Sequence, residues 1–442
     1  MTVFQQLREK GKLAAIHDSS ARAYPPRCHT STRQTLRSRI VRWGTGDEND
    51  ERMYWVLGPP AVGKSAVAQT IAEEFEKKGR LGASFFFSRR NHLDDPDWVI
   101  PTLAYQLATK HPQYKRIITQ RLVDDPSILE KNREVQFEKL VIEPFRILMI
   151  KYPHTIEEPL LIILDGLDEC KDKQAQCELI KLINTHVRQV DDFPLRWMIC
   201  SRPEWHLNAI LSDADGLIVY EHEELRVDDK EAREDAERLL EAGFGKIRRE
   251  YRLPNDWPPE RHLQYITFTA SGHLGFVSFI LRFVGNEEYD DPDGQLQICM
   301  KFLGGGTTVG VSNPLRALDL LYRQILSNVP HNRLPTTMRI LAFVILYNRH
   351  YYGLDSSDNQ ARFLNLDPAT FYQSLRNLHS VVYVPPMDKS SADPLRIYHA
   401  SFSDFLMDPS RSGKYWLNER AANYDFALQC LHWLENDGKD TT

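Results

Sequence analysis

The stretch Gly58-Pro59-Pro60-Ala61-Val62-Gly63-Lys64-Ser65 constrains this chain more than any other. It follows the apolar run Met53-Tyr54-Trp55-Val56-Leu57 and precedes Val67, Ile71 and Phe75 at helical spacing. Strand, glycine-rich turn and helix, in that order, is the setting of a phosphate-binding loop. Gly58 and Gly63 let the backbone curl so that amide N–H groups converge on phosphate oxygens. Those amides sit at a helix N-terminus, whose partial positive charge favours an anion. Lys64 is expected to reach the β- and γ-phosphates and the Ser65 hydroxyl to ligate Mg²⁺, and residues 58–66, Ala66 included, are expected to bind the nucleotide. The plain alternative is an ordinary strand-to-helix turn.

The surrounding pattern predicts an α/β layer of parallel strands. Strands are expected at Met53–Leu57, Ala83–Phe87, Leu160–Leu164, Leu195–Cys200 and Leu217–Tyr220. Helices are expected between them at Ser65–Lys78, Trp98–Lys110, Val135–Lys151 and Gln174–Val190. Short continuous apolar strands alternating with helices imply a parallel sheet covered on both faces, with ligands beyond the strands' carboxyl ends. From about residue 225 the alternation stops. Asp228 with Glu231 three residues on reads as a helix start, and helices follow around Glu260–Ala270, Phe276–Val284, Gln295–Phe302, Pro314–Ser327 and Thr336–Tyr347. Gly304-Gly305-Gly306 is a natural break, and two short extended pieces near Val381–Val384 and Leu395–His399 look like the hairpin of a winged helix.

The expected organisation is therefore an N-terminal helical or linker segment (1–50), a nucleotide-binding domain (51–223) and a helical domain (224–306). A winged-helix-like domain (307–425) and a tail (426–442) complete it.

Three further constellations bear on chemistry. Leu160-Leu161-Ile162-Ile163-Leu164-Asp165-Gly166-Leu167-Asp168-Glu169 is an apolar strand ending in acids. Asp165 is placed to hold Mg²⁺ directly or through water. Asp168 or Glu169 is placed to orient or deprotonate a water; the alternative is that they cap the next helix. Leu195–Cys200 ends in Ser201-Arg202-Pro203, which sets a cation at another strand tip, where it can sense a γ-phosphate. Arg33, Arg37, Arg39 and Arg42 make the segment before the first strand basic. A solvated helix face is the favoured account of them, contact with a nucleotide the other. His399, by sequence chemistry alone, is a packed or capping histidine.

Bulk properties close off other classes. A net charge of -6 over 442 residues offers no global basic field for nucleic acid or anionic membrane. The longest apolar runs, near Leu160–Leu164 and Ile340–Tyr347, fall short of a membrane helix. The first ten residues are charged too early for a secretory signal. Cys28, Cys170, Cys177, Cys200, Cys299 and Cys430 are dispersed, which predicts reduced thiols in a cytoplasmic protein.

Taken together, the GPPAVGKS loop, the LLIILDGLDE strand and the MICSRP strand tip resemble a NACHT module. NACHT modules are a branch of the signal-transduction ATPases with numerous domains (STAND), and the likeness is above all to the fungal, nephrocystin-type subgroup. It extends to Gly82–Arg89, Leu103–Ala108, Ala270-Ser271-Gly272 and the YHASFSDFL stretch, and so covers roughly residues 28–425. The resemblance implies a three-part switch of nucleotide-binding sheet, helical domain and winged helix. It implies a sensor strand between the two Walker strands, with Arg202 near the γ-phosphate and His399 on the β-phosphate of ADP. It implies ADP-to-ATP exchange, opening and homo-oligomerisation, with an unknown signalling partner. The helical domain of such proteins carries a Gly-x-Pro turn, whereas Gly272-His273-Leu274 lacks the proline. Effector and repeat parts are expected either to lie outside this sequence or to be dispensed with in a minimal switch.

The resulting expectation is a switch that binds ATP or ADP with Mg²⁺ and hydrolyses ATP slowly. The alternatives are a constitutive NTP-using enzyme and a nucleotide-binding scaffold that never hydrolyses.

Overall fold

Strands that are apolar along their whole length need cover on both faces, and the N-terminal half of the chain provides it. The computed structural model describes residues 3–22, 25–46, 51–59, 62–89, 91–189, 193–211, 218, 220–225, 230–270, 272–287, 290–304, 314–347, 356–378, 381–385, 390–397 and 400–437. The chain divides into two units, one of residues 1–89 and 93–226, the other of residues 90–92 and 227–442.

In the first unit, β1 (Met53–Leu57), β2 (Leu81–Phe86), β3 (Leu160–Asp165), β4 (Leu195–Ser201) and β5 (Glu221–Glu224) form one sheet. Its order is β2-β3-β4-β1-β5, and every pairing is parallel. β1 to β4 are buried throughout. Side chains of alternating parity face opposite layers. Trp55, Phe85, Ile162, Leu164 and Trp197 join one core with helix α4 (Val99–Lys110), helix α5 (Pro112–Asp124) and the helical stretch through Glu143–Lys151. On the opposite face lies helix α3 (Lys64–Lys77), whose Val67, Ala68, Ile71, Ala72 and Phe75 are buried.

The N-terminal residues complete this unit. Helix α1 (Val3–Lys10) buries Leu7, and helix α2 (Gln34–Thr45) buries Leu36, Ile40 and Trp43. Between them the chain runs along the sheet. His17 N donates to Ser84 Oγ (3.1 Å), Gln69 Nε2 to His17 O (3.0 Å) and Cys28 N to Thr70 Oγ1 (3.0 Å).

The last strand departs from the sequence expectation. It is Glu221–Glu224 rather than Leu217–Tyr220, of which Ile218 and Tyr220 lie outside any strand and Leu217 and Val219 outside the described residues. β5 is an edge strand paired to β1 alone. Backbone bonds to β1 suffice to hold it, so its sequence alternates exposed and half-buried polar residues and lacks the apolar run by which a strand is recognised. Helix α5 was not expected either. Its few buried anchors, Tyr114, Ile118 and Leu122, are spaced four apart within a polar segment.

The second unit is helical around a separate core. Helices span Lys230–Glu250, Glu260–Ala270, Leu274–Val284, Pro292–Gly304, Pro314–Ser327 and Leu334–Ala342. The ring of Tyr322 meets those of Phe279, Phe402 and Phe405. A two-stranded antiparallel ladder, β6 (Val382–Tyr383) with β7 (Arg396–Ile397), stands just before a helix at Ala400–Met407. This is the hairpin expected from the two extended pieces. The final helix, Glu419–Asp437, runs through the expected start of the tail. Asp228 and Gly305-Gly306 lie outside the described residues.

Candidate phosphate-binding site

The geometry of the loop follows from its two ends. β1 delivers the chain to Gly58 at the sheet's carboxyl edge, and α3 starts at Lys64. Gly63, the residue before the helix, has φ +100° and ψ 16°, a left-handed conformation that glycine adopts without a Cβ clash. Pro60 and Ala61 lie outside the described residues. The Lys64 ammonium donates to the carbonyls of Gly58 (2.6 Å) and Pro59 (2.9 Å), folding back over the loop it belongs to. Burial pulls its pKa below the ordinary range, Asp168 and Asp165 oppose that, and Arg202 adds to it.

Asp165 ends β3 on the face that carries α3. It is 3% exposed, and its carboxylate accepts hydrogen bonds from the Ser65 hydroxyl and the Cys200 thiol. Its Oδ1, fully buried, has no hydrogen-bond partner among the described residues. Burial pushes the Asp165 pKa up to about 6, with the Ser65 bond and the Arg22 charge opposing. An orphaned carboxylate oxygen beside a serine hydroxyl at a helix N-terminus is a donor set that suits Mg²⁺, a hard cation that takes oxygen ligands. Ser65 and Asp165 therefore fit the metal assigned to them.

The acids after β3 are held from both sides. Gly166 turns the chain at φ +70°, and a Cβ there would lie 3.0 Å from Phe87 O. Leu167–Glu169 then forms a single tight turn. Asp168 is clamped by Arg202 at the tip of β4: the Arg202 amide donates to Oδ1 (2.9 Å), and Nε lies 3.2 Å from Oδ2. Glu169 Oε2 accepts from the amide of Arg89, which follows β2 (3.0 Å). β4 lies between β1 and β3, which is the strand order the resemblance implies, and Arg202 follows the strand adjacent to the one that leads into the Lys64 loop. Lys64, Ser65, Asp165, Asp168 and Arg202 are thus brought together. His399 lies outside the described residues.

Two arginines near this site escaped the sequence reading. Arg33, grouped with a solvated helix face, is instead 3% exposed, sits at φ 52°, and donates from Nη2 to the Val62 carbonyl of the loop (3.3 Å). Arg39 does conform in part, pairing with Glu223 on β5. Arg22 lays its guanidinium 3.7 Å from the centre of the Phe86 ring, next to Asp165 in the β2–β3 register, and bonds Gln69 (3.1 Å). Nothing in local spacing marks either residue, because each is recruited by a strand or loop distant in sequence.

A separate cleft of ≈ 930 Å³, lined by Trp98, Arg133, Glu178 and His186 among others, shares no residue with the loop. Arg133 there is already paired with Asp97 and Glu178, and His186 with Glu138.

A glycine turn between a buried strand and a helix, with its lysine and serine facing a strand-end aspartate, defines a P-loop NTPase fold. Residues 31–202 match the sequence model of the family described as Nephrocystin 3, N-terminal. This part of the chain is similar to that family, and its fold is that of a P-loop NTPase. No curated protein matches the chain. Among solved structures, the chain is similar to the Walker-type ATPase PABY2304 of Pyrococcus abyssi, with 15% identity, 86% of this chain and 98% of that chain covered, and a TM-score of 0.41. It is also similar to Cdc6p from Pyrobaculum aerophilum, with 12% identity, 92% and 97% covered, and a TM-score of 0.40. The Orc1 protein of Aeropyrum pernix, solved in complex with DNA, is 11% identical, with 87% and 94% covered and a TM-score of 0.36. Among the described residues no helix is long and apolar enough to cross a membrane.

Proposed function

We propose that this protein is a nucleotide-dependent switch that binds ATP or ADP with Mg²⁺ and hydrolyses ATP slowly. The observation that carries the reading is the buried, unpartnered Oδ1 of Asp165 beside Ser65, at the mouth of a loop whose lysine is turned onto its own carbonyls. A bound triphosphate gives the Lys64 ammonium anionic oxygens in place of Gly58 O and Pro59 O, a stronger, charge-assisted pairing. Loop amides as far as Ala66 donate to the remaining phosphate oxygens. Ser65 and Asp165 would hold Mg²⁺, which when bound neutralises charge developing on the phosphates.

The catalytic roles divide by what already holds each acid. Asp168 has both oxygens engaged by Arg202 and serves to aim that guanidinium at the terminal phosphate. Glu169 takes the proton of the attacking water. His399 contacts the β-phosphate of ADP and favours the closed form. A switch further requires that ATP and ADP bind the two arrangements with different affinity. In this reading the ATP form opens, homo-oligomerises and engages a signalling protein in the cytoplasm, as in the fungal subgroup, without nucleic acid or membrane as partner.

Native mass measurement of the purified chain tests the reading. The expected result is co-purifying ADP that exchanges for ATP with an increase in hydrodynamic size. A preparation that takes up no nucleotide refutes it. Uptake with steady turnover well above roughly one per second, unchanged by oligomeric state, favours a constitutive enzyme instead.

A further inference from the structure

We propose that Arg89 is a positioning residue for Glu169: from the exit of β2 it holds the acid-bearing turn after β3 and anchors the Glu169 carboxylate for proton transfer. The proposal rests on the reading of Glu169 as the base.

β2 stays in register with β3 as far as Phe86 opposite Asp165, and Phe87 N then donates to Asp165 O (2.8 Å). Beyond the sheet the segment doubles back, with Ser88 and Leu93 exchanging backbone bonds of 3.0 and 2.8 Å. This reversal sets Arg89 over the Leu167–Glu169 turn. Arg89 then reaches three successive residues. Its amide donates to Glu169 Oε2 (3.0 Å), and its Nη2 to the carbonyls of Asp168 (3.1 Å) and, at a longer 3.4 Å, Cys170. The far side of the reversal is pinned by Lys171 N on Asp94 O (2.9 Å) and by the Lys171–Asp95 ion pair.

β2 and β4 flank β3 in the sheet. Each sends an arginine to the turn at its tip: Arg202 takes the Asp168 carboxylate with its amide and guanidinium, whereas Arg89 meets the Glu169 carboxylate through its amide and the flanking carbonyls through its guanidinium. A general base acts only within hydrogen-bond reach of its water, and a displacement of ~1 Å can cost on the order of 100-fold in rate. The amide at position 89 survives any substitution except proline. What the guanidinium adds is the tie to residues 168 and 170, which keeps that amide over Glu169. Gln176 Nε2 also donates to the Asp168 and Cys170 carbonyls (3.4 and 2.9 Å). Loss of the Arg89 side chain therefore leaves neither carbonyl orphaned, and the variant keeps its fold.

The test uses Arg89→Ala, Arg89→Lys, Glu169→Gln and the Arg89→Ala/Glu169→Gln double variant of the full chain. Single-turnover release of γ-labelled phosphate from ATP·Mg²⁺ gives the rate, and titration with ADP gives the affinity. The expected result is a fall of roughly 10-fold in rate for Arg89→Ala with ADP affinity unchanged, partial recovery in Arg89→Lys, and no further loss when Arg89→Ala is added to Glu169→Gln. A merely structural role predicts instead an equal further loss in the Glu169→Gln background and a weaker affinity for ADP. That pattern, or a wild-type rate for Arg89→Ala beside a slow Glu169→Gln, overturns the proposal and leaves the base in place. A wild-type rate for Glu169→Gln refutes the base and the proposal together.

Discussion

Replacing Asp165 with asparagine should stabilise the nucleotide-free protein while removing its response to Mg²⁺. The carboxylate is 3% exposed with one oxygen unpartnered, and its pKa stands at about 6 against an ordinary 3.8. Burial is the dominant cause, and the Ser65 bond only partly offsets it. A gap of about two pKa units corresponds to about 3 kcal/mol of strain in the ionised folded state. The sign follows from the direction of the shift. The folded pKa is raised, so the folded state binds its proton more tightly than the unfolded chain. The associated stability is complete below the unfolded value near 3.8 and is lost as pH rises through about 6. The substituted amide carries no charge at any of these pH values. The variant should therefore melt several degrees above wild type at pH 7.5, with the difference shrinking between pH 6 and 4 and vanishing below. At roughly 2–4 °C per kcal/mol for a unit of this size, the ceiling is on the order of 10 °C. Differential scanning fluorimetry across pH, with and without ADP·Mg²⁺, measures both effects. Wild type should gain in melting temperature from the added metal and nucleotide, and Asp165→Asn should gain much less. An asparagine variant that melts below wild type at pH 7.5, or a difference that does not change with pH, would refute the assignment of burial strain to Asp165.

The other consequences are simpler. Lys64→Ala should abolish retention of nucleotide, because ammonium and loop amides act on the same phosphates; unaltered ADP content in the purified variant would remove Lys64 from the site. Glu169→Gln should keep nucleotide affinity and slow hydrolysis by about 100-fold or more, the range of general-base catalysis, which phosphate-release assays read directly. Deleting residues 1–30 should destabilise the first unit, although the matched family segment begins only at residue 31. The deletion strips Leu7 from the core, worth roughly 2 kcal/mol, and also the His17 and Arg22 contacts to the β2 face. A melting temperature equal to that of the full chain would contradict this.

How much of the site was legible before folding depends on how each residue is specified. Lys64 and Ser65 lie within a local motif whose backbone geometry is set by its own glycines, and Asp165 ends a strand that is apolar over its whole preceding length. The helices with regular apolar spacing were equally visible, among them Pro314–Ser327. β5 was misplaced because an edge strand is held by backbone pairing with β1, which imposes no apolar signature on Glu221–Glu224. Arg33 read as a surface charge because it opens a basic run that ends in the exposed Arg42, while only the folded chain brings it to Val62 O.

Sequence by itself determined the chemistry available here: a loop that can curl around phosphate, a cation to meet it, a serine and strand-end acids. Those properties are local, set by glycine dihedrals and by periodicities of a few residues. Only tertiary structure decided which group meets which. The sheet order places β4 between β1 and β3, so Arg202 closes on Asp168, while β2 on the other side brings Arg89 to Glu169. Those pairings join residues 34 and 80 positions apart in the chain. No local rule reaches so far, because proximity between strand tips arises from the order in which the strands hydrogen-bond.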